Sequence, residues 1–401
     1  MKVVNAYGSV RQMHGATKYL MAFASELKNQ GHDSSIVCAD FSIPKPYWLT
    51  ADITTSRGNS GSKPAGGSRI ARAAGNYLRL PGVARCMPRD ADVVVLHSEH
   101  ALPLLPFVRR RCRRATVVYY CYQPPREVYD LWPVVKQDFH PLTRLGLQVA
   151  IPFYKWLDRK LARSADRVLV FSPEYREYAR GIYGNLDYVL VPAGIDFGMF
   201  ELDDAEQVAR VEALRQGSDV HLLMMAALTR KKNVHLLIEV LAALAARGID
   251  ARGTVIGEGP LRSELESMAR QRGIADRLVL SGYVTQEDLP LYYHAADVLY
   301  FLEANGAWTM SIIEAGATRT PVIVAPGGSM PTLVRDGETG VVLDDVHDVD
   351  ALVEQTVSLV ENGPRRAEMG RRNYEHSLRF SLPESVRTFI DTVSSSGGAA
   401  A

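Results

Sequence analysis

Four segments of this 401-residue chain combine cations, glycines and carboxylates in patterns suited to holding an anion. The densest is Ala226-Ala227-Leu228-Thr229-Arg230-Lys231-Lys232-Asn233, whose three consecutive cations could grip a diphosphate or simply face water. In Gly306 to Ala315, the residues Met310, Ser311 and Ile312 open a helix, where backbone N–H groups attract negative charge. Glu314 follows within the first turns and could accept from two ribose hydroxyls; a surface carboxylate agreeing with the helix dipole is the plainer reading. In Ile256-Gly257-Glu258-Gly259-Pro260, Pro260 suits a first helical turn. Its glycines permit contact with a flat ring or ribose, or form an ordinary turn. The fourth runs from Tyr7-Gly8-Ser9 to His14-Gly15-Ala16-Thr17. Gly15 would let a ligand approach the backbone, with the N–H groups of Ala16 and Thr17 donating, although a plain loop fits equally. The segment lacks G-x-G-x-x-G, so the nicotinamide fingerprint is absent.

Such segments act only if strands and helices hold them at one edge. Apolar runs at Val3–Ala6, Ser35–Cys38, Val93–His97, Thr116–Cys121, Arg167–Phe171 and Tyr188–Val191 predict strands. A second set follows at His221–Ala226, Gly253–Ile256, Leu278–Leu280, Asp297–Phe301 and Pro321–Val324. Separated by helices such as Ala16 to Gln30 and Val234 to Arg247, they predict parallel sheets buried on both faces. The alternation restarts near Val191–Phe200, which predicts two doubly wound α/β domains of about 190 residues rather than one large sheet. Residues 1–192 form the first and 193–377 the second, with a helix in 378–395, about Pro383 to Val393, crossing back onto the first. Thr54 to Ser68, rich in glycine and serine, reads as a mobile loop.

Composition narrows the partners. With 46 Lys+Arg against 45 Asp+Glu the net charge is +1, so no global field draws nucleic acid. Cys38, Cys86, Cys112 and Cys121 are scattered, which fits idle thiols in a reducing compartment and no metal site. Met1-Lys2 leads into a short strand rather than a signal peptide. The uncharged run Leu145 to Tyr154 contains Pro152 and is about half a membrane span, so it predicts a buried or interfacial helix. Together these features place the chain in the cytoplasm. The run Arg109-Arg110-Arg111-Cys112-Arg113-Arg114 is the candidate for peripheral contact with the inner face of a membrane; a solvated helix end is the preferred reading. His97 and His100 flank a strand end and read first as structural.

The second half resembles the retaining family-4 glycosyltransferases. The carrying segments, in order, are LVPAGID (Leu190–Asp196), RKKN (Arg230–Asn233), IGEGP (Ile256–Pro260), LSGYVTQEDLPLYYHAADV (Leu280–Val298), SIIEAGATRTPVI (Ser311–Ile323) and GGSMPTLVRDGETGVVL (Gly327–Leu343). HGATKYLMAFASELKNQGH and YKWLDRKLARSADRVLVFS also resemble family segments, and YYCYQPPREVYD is similar to a loop of mannosyltransferases acting on lipid-linked oligosaccharides. The resemblance implies two facing Rossmann-like domains (the GT-B fold) with a cleft between them, the first binding acceptor and the second nucleotide sugar. It implies transfer from a GDP- or UDP-sugar to a sugar, lipid-linked or small-molecule acceptor hydroxyl, with retention and without metal or other cofactor. By analogy Lys232, with Arg230, neutralises the leaving diphosphate and Glu314 holds the ribose. Gly15, Ala16 and the N–H groups of Met310, Ser311 and Ile312 meet phosphates, while the base stacks near Val284 beside Gly257 and Glu258.

Three positions depart from the family pattern. Ala227 stands where the family has a phosphate-binding arginine, Gly306 where it has the first of two glutamates, and Tyr122 where it has a histidine. Glu303, three residues before Gly306, lies near that vacancy but at another spacing. Tyr122 can hydrogen-bond a sugar hydroxyl but is no base near neutral pH. Two further readings therefore stand beside a transferase: a weakened or non-catalytic nucleotide-sugar binder, and an epimerase of the same fold.

Overall fold

The computed structural model describes residues 1–46, 48–56, 79–126, 128–136 and 140–395. The chain separates into two compact units, one comprising Met1–Ala193 and the residues from Leu382 onward, the other Gly194–Ser381.

The first unit is built on a parallel sheet of seven strands in the order β3-β2-β1-β4-β5-β6-β7. These are β1 Lys2–Ala6, β2 Asp33–Cys38, β3 Asp52–Thr55, β4 Val93–His97, β5 Thr116–Tyr120, β6 Arg167–Val170 and β7 Tyr188–Leu190. The second carries six parallel strands in the order β10-β9-β8-β11-β12-β13. They are β8 Val220–Met225, β9 Ala251–Ile256, β10 Leu278–Gly282, β11 Val298–Phe301, β12 Val322–Val324 and β13 Gly340–Val342. Strand order reverses between β1 and β4 in one sheet and between β8 and β11 in the other, the places where such folds open a crevice for ligands.

All eleven expected strands form, and two more close the sheet edges. Thr54 and Thr55, read as loop, belong to β3; residues 57–68 of that segment lie outside the described residues. β3 and β13 escape sequence patterning because an edge strand of three or four residues needs no long apolar run.

Helices cover both faces. In Val234–Ala246, Leu236, Leu237, Val240, Leu241 and Leu244 recur at helical spacing and all are buried, sealing one face of the second sheet. The chain enters and leaves this unit side by side, since the Ile195 N–H donates to the Phe380 carbonyl at 3.0 Å. Residues up to Ser381 stay with the second unit, and the helix Leu382–Ser394 then packs on the first-unit helix Gly15–Asn29. There Tyr19 and Ser385 share a hydroxyl hydrogen bond of 2.9 Å, and the rings of Phe23 and Phe389 meet edge to face at 5.1 Å.

Among the described residues no helix is long and apolar enough to cross a membrane. The run Leu145 to Tyr154 falls within the helix Pro141–Ala162, which buries Ile151, Asp158, Leu161 and Ala162. Leu145, Val149 and Phe153 are exposed, so of the two expected placements a buried helix is excluded.

Candidate functional site

In the second unit, the carboxyl ends of β8, β9 and β11 converge. After β8 the backbone runs alongside the β9 loop: Ala226 N–H donates to the Ile256 carbonyl and Leu228 N–H to the Glu258 carbonyl, both at 3.0 Å. The two glycines of this loop are required by that contact. A Cβ at Gly257 would stand 2.2 Å from the Ala226 carbonyl oxygen, and one at Gly259 would stand 2.4 Å from that of Leu228. The surface that both glycines admit is the chain's own β8 loop.

The loop then makes a short 3-10 turn, Arg230–Lys232, and Asn233 adopts a left-handed conformation with φ 54°. Asparagine tolerates that conformation, and its side chain adds a second tie, donating to the Leu302 carbonyl at 2.8 Å. Asn233 thus pins the basic turn to the end of β11. Lys232 is consequently brought into an ion pair with Glu303, and its ammonium lies 5.7 Å from the centre of the Phe301 ring. Lys231 approaches the other Glu303 oxygen at 3.4 Å. Burial alone would push the Glu303 carboxyl up; Lys232 and then Lys231 outweigh it and hold the group ionised below its usual range. Arg230 stands apart, 86% exposed and 3.9 Å from Glu264.

From Glu303 the chain loops to the helix Met310–Ala317. A Cβ at Gly306 would stand 2.4 Å from the Phe301 ring, so a glutamate cannot occupy this position unless that ring shifts. The carboxylate found beside Lys232 is Glu303 instead, which spacing alone does not reveal. The Thr309 hydroxyl donates backward to the Ala307 carbonyl at 2.9 Å rather than capping the helix. The Ile312 N–H donates to the Thr309 carbonyl at 3.3 Å. Met310 and Ser311 remain at the helix end, where N–H groups lack helical partners. Glu314 is buried and accepts from the Tyr293 hydroxyl at 2.6 Å. Glu258 is exposed and lies over Gly282, two residues from the half-buried Val284.

The first unit presents a different strand-end surface. Tyr122 is 7% exposed, stacks on Phe171 at 5.0 Å and shares a 2.7 Å hydrogen bond with His97 Nδ1. The other His97 nitrogen meets the Asn5 side-chain oxygen at 2.9 Å, and Asn5 donates to the Ser34 hydroxyl at 3.1 Å. Burial lowers His97 to about 3 and raises Tyr122 well above its ordinary value, so both stay uncharged. Tyr122 therefore packs in the first unit with its hydroxyl completing a buried network. Gly15 opens the helix Gly15–Asn29 with nothing within 4 Å of its would-be Cβ, and Ala16 follows half-buried. In the arginine run, Arg109 pairs with Asp166 at 2.7 Å and Arg111 donates to the Met87 carbonyl at 3.0 Å, as a helix end does.

These two strand-end surfaces fall within matches to two family models. A model described as glycosyl transferases group 1 matches residues 206–376, and one described as glycosyl transferase 4-like domain matches residues 14–194. The chain carries both of these glycosyltransferase domains. A GDP-mannose-dependent alpha-(1-6)-phosphatidylinositol monomannoside mannosyltransferase of Mycolicibacterium smegmatis is 28% identical over 229 residues, covering 55% of this chain and 59% of the relative. The chain spans little more than half the length of the first curated relatives it matches. Among solved structures, the sucrose-phosphate synthase of Thermosynechococcus elongatus superposes with a TM-score of 0.77 at 17% identity, covering 100% of both chains. An Anabaena protein in complex with UDP and glucose gives 0.74 at 16% identity, covering 98% of this chain and 100% of its own. These likenesses establish two parallel-sheet Rossmann-like units of the GT-B type.

Proposed function

We propose that the protein is a retaining glycosyltransferase that moves a sugar from a GDP- or UDP-sugar to an acceptor hydroxyl. The observation that carries this reading is Lys232, fixed at the switch point of the second sheet by the Asn233 tie and facing Glu303. A diphosphate placed there would meet the Lys232 ammonium together with the N–H groups of Met310 and Ser311. Charge released as the glycosidic bond breaks would be offset without a metal. Glu303 would then be released toward the sugar, and Glu314, oriented by Tyr293, would face the ribose. A donor phosphate oxygen would take the acceptor proton. Glu258 and Val284 would flank the base.

Both donor nucleotides are retained, because the mannosyltransferase relative is named for GDP-mannose and the Anabaena structure holds UDP. The relative's named substrate, a phosphatidylinositol monomannoside, supports a lipid-linked sugar as acceptor. The test is incubation with GDP-mannose, UDP-glucose and related donors, following release of nucleoside diphosphate and the anomeric configuration of the product. Release from one donor with the configuration kept supports the reading. Binding without release from any donor supports the second reading, a nucleotide-sugar binder. The absence of a cation at Ala227 and the carboxylate already engaging Lys232 favour that second reading.

A further inference from the structure

The helix Pro141–Ala162 carries one face that packing alone does not explain. Leu142, Leu145, Val149, Phe153 and Trp156 are 76%, 62%, 75%, 65% and 54% exposed. At about 100° per residue these five fall within an arc of roughly 80°, opposite the face that buries Ile151, Asp158, Leu161 and Ala162. An apolar stripe four turns long is thus turned away from the core of its own unit. Isolated exposed leucines need no explanation, but a contiguous stripe marks a surface that meets something apolar.

The charges around the stripe indicate what that is. The helix holds Arg144, Lys155, Arg159 and Lys160 against a single carboxylate, Asp158, which is buried and accepts from the Tyr129 hydroxyl at 2.9 Å. Lys160 lies 5.1 Å from the centre of the Trp156 ring, so a cation sits on the apolar edge itself. Where the stripe ends, Pro152, Trp156, Arg159, Lys160, Arg163 and Ser164 line a pocket of about 480 Å³. Arg109, from the arginine run, reaches its rim by donating to the Ser164 carbonyl at 2.9 Å.

We propose that this face docks on an anionic lipid bilayer. The five apolar side chains enter the headgroup–acyl boundary, and lipid phosphate is held by Arg159 and Lys160 beside Trp156. An apolar stripe flanked by cations is the pattern of helices that lie in a membrane interface, where burial and attraction to anionic lipid add together. A second copy of the chain is a poorer occupant: the same cations would face each other across a self-complementary interface. The inference stands independently of the proposed glycosyl transfer.

The test is co-sedimentation of the full chain with vesicles of phosphatidylcholine alone and of phosphatidylcholine with about 30 mol% phosphatidylglycerol. The expected result is at least about tenfold stronger partitioning into the anionic vesicles, weakening as salt is raised. The Phe153→Ser/Trp156→Ser and Arg159→Glu/Lys160→Glu variants should each lose at least about tenfold of that partitioning. Their circular dichroism and melting temperature should match the parent, because these side chains are exposed. Equal sedimentation of parent and variants would overturn the proposal, as would no sedimentation of either. Sedimentation velocity without lipid covers the remaining occupant: a dimer abolished by Phe153→Ser/Trp156→Ser would assign the face to a second copy and overturn the bilayer.

Discussion

Two sheets of one topology end in opposite chemistry. At the switch point of the first, Asn5, His97 and Tyr122 form a closed, uncharged chain of hydrogen bonds walled by Tyr19, Tyr120 and Phe171. At the switch point of the second, Lys232 pairs with Glu303, whose carboxyl is held ionised, and each is about one-fifth exposed. The topology sets where a site can form, and side chains decide whether it is filled from within or left able to meet an anion. In the first unit the donors and acceptors satisfy one another; in the second the cation is held by a carboxylate that a stronger anion could displace.

The contrast is broken most severely at Lys232. Lys232→Ala should lower glycosyl transfer by at least about a hundredfold if the ammonium offsets the leaving diphosphate. Near-parental turnover in a steady-state assay would remove the second switch point from the chemistry. Gly306→Glu, which supplies the family's missing carboxylate, should cost roughly 1–3 kcal/mol, because its Cβ would overlap the Phe301 ring. Chemical denaturation reads that cost, and an undiminished midpoint would show that the ring yields.

Acid tests both halves together. Burial lowers His97 to about 3, and burial followed by Arg215 lowers His221 in the second unit to about 4. Each is neutral when folded and gains a proton on unfolding, so stability is full above the ordinary pKa of about 6.5 and falls as pH drops toward those values. Melting at pH 4.5 rather than 7 should therefore show a loss of roughly 1–3 kcal/mol per histidine, which a glutamine at either position should reduce. A smaller effect is expected at Tyr122. Tyr122→Phe should cost about 1–2 kcal/mol by leaving His97 Nδ1 without its partner, while turnover stays within about threefold of the parent. A large loss of turnover with unchanged stability would make Tyr122 a substrate contact. The mildest change is Ala227→Arg. Position 227 is exposed, so the new guanidinium should tighten nucleoside diphosphate binding by about five- to tenfold in calorimetry.

The strands could be read because parallel sheets buried on both faces demand apolar runs, as in Val93–His97 and Val298–Phe301. β3 and β13 could not, because short edge strands impose no such demand. The basic turn was likewise legible from Arg230-Lys231-Lys232. Its partner was not: Glu303 reaches Lys232 because Asn233 bonds Leu302, a contact between residues far apart in sequence. The same limit applies to Gly257 and Gly259, which admit the β8 loop, and to Gly306, which admits the Phe301 ring. Tyr122 shows it from the other side. A position in a familiar motif does not disclose that its hydroxyl is already taken by His97.

The return of the helix Leu382–Ser394 to the first unit sets an order of assembly during synthesis. Every residue of the second unit leaves the ribosome before Ser385 and Phe389 are available to Tyr19 and Phe23. The half of the molecule translated first must therefore wait, incompletely covered, while the half translated second is finished. A nascent chain stopped before Leu382 would carry one closed unit and one whose aromatic wall still faces solvent, the kind of surface that holding chaperones occupy.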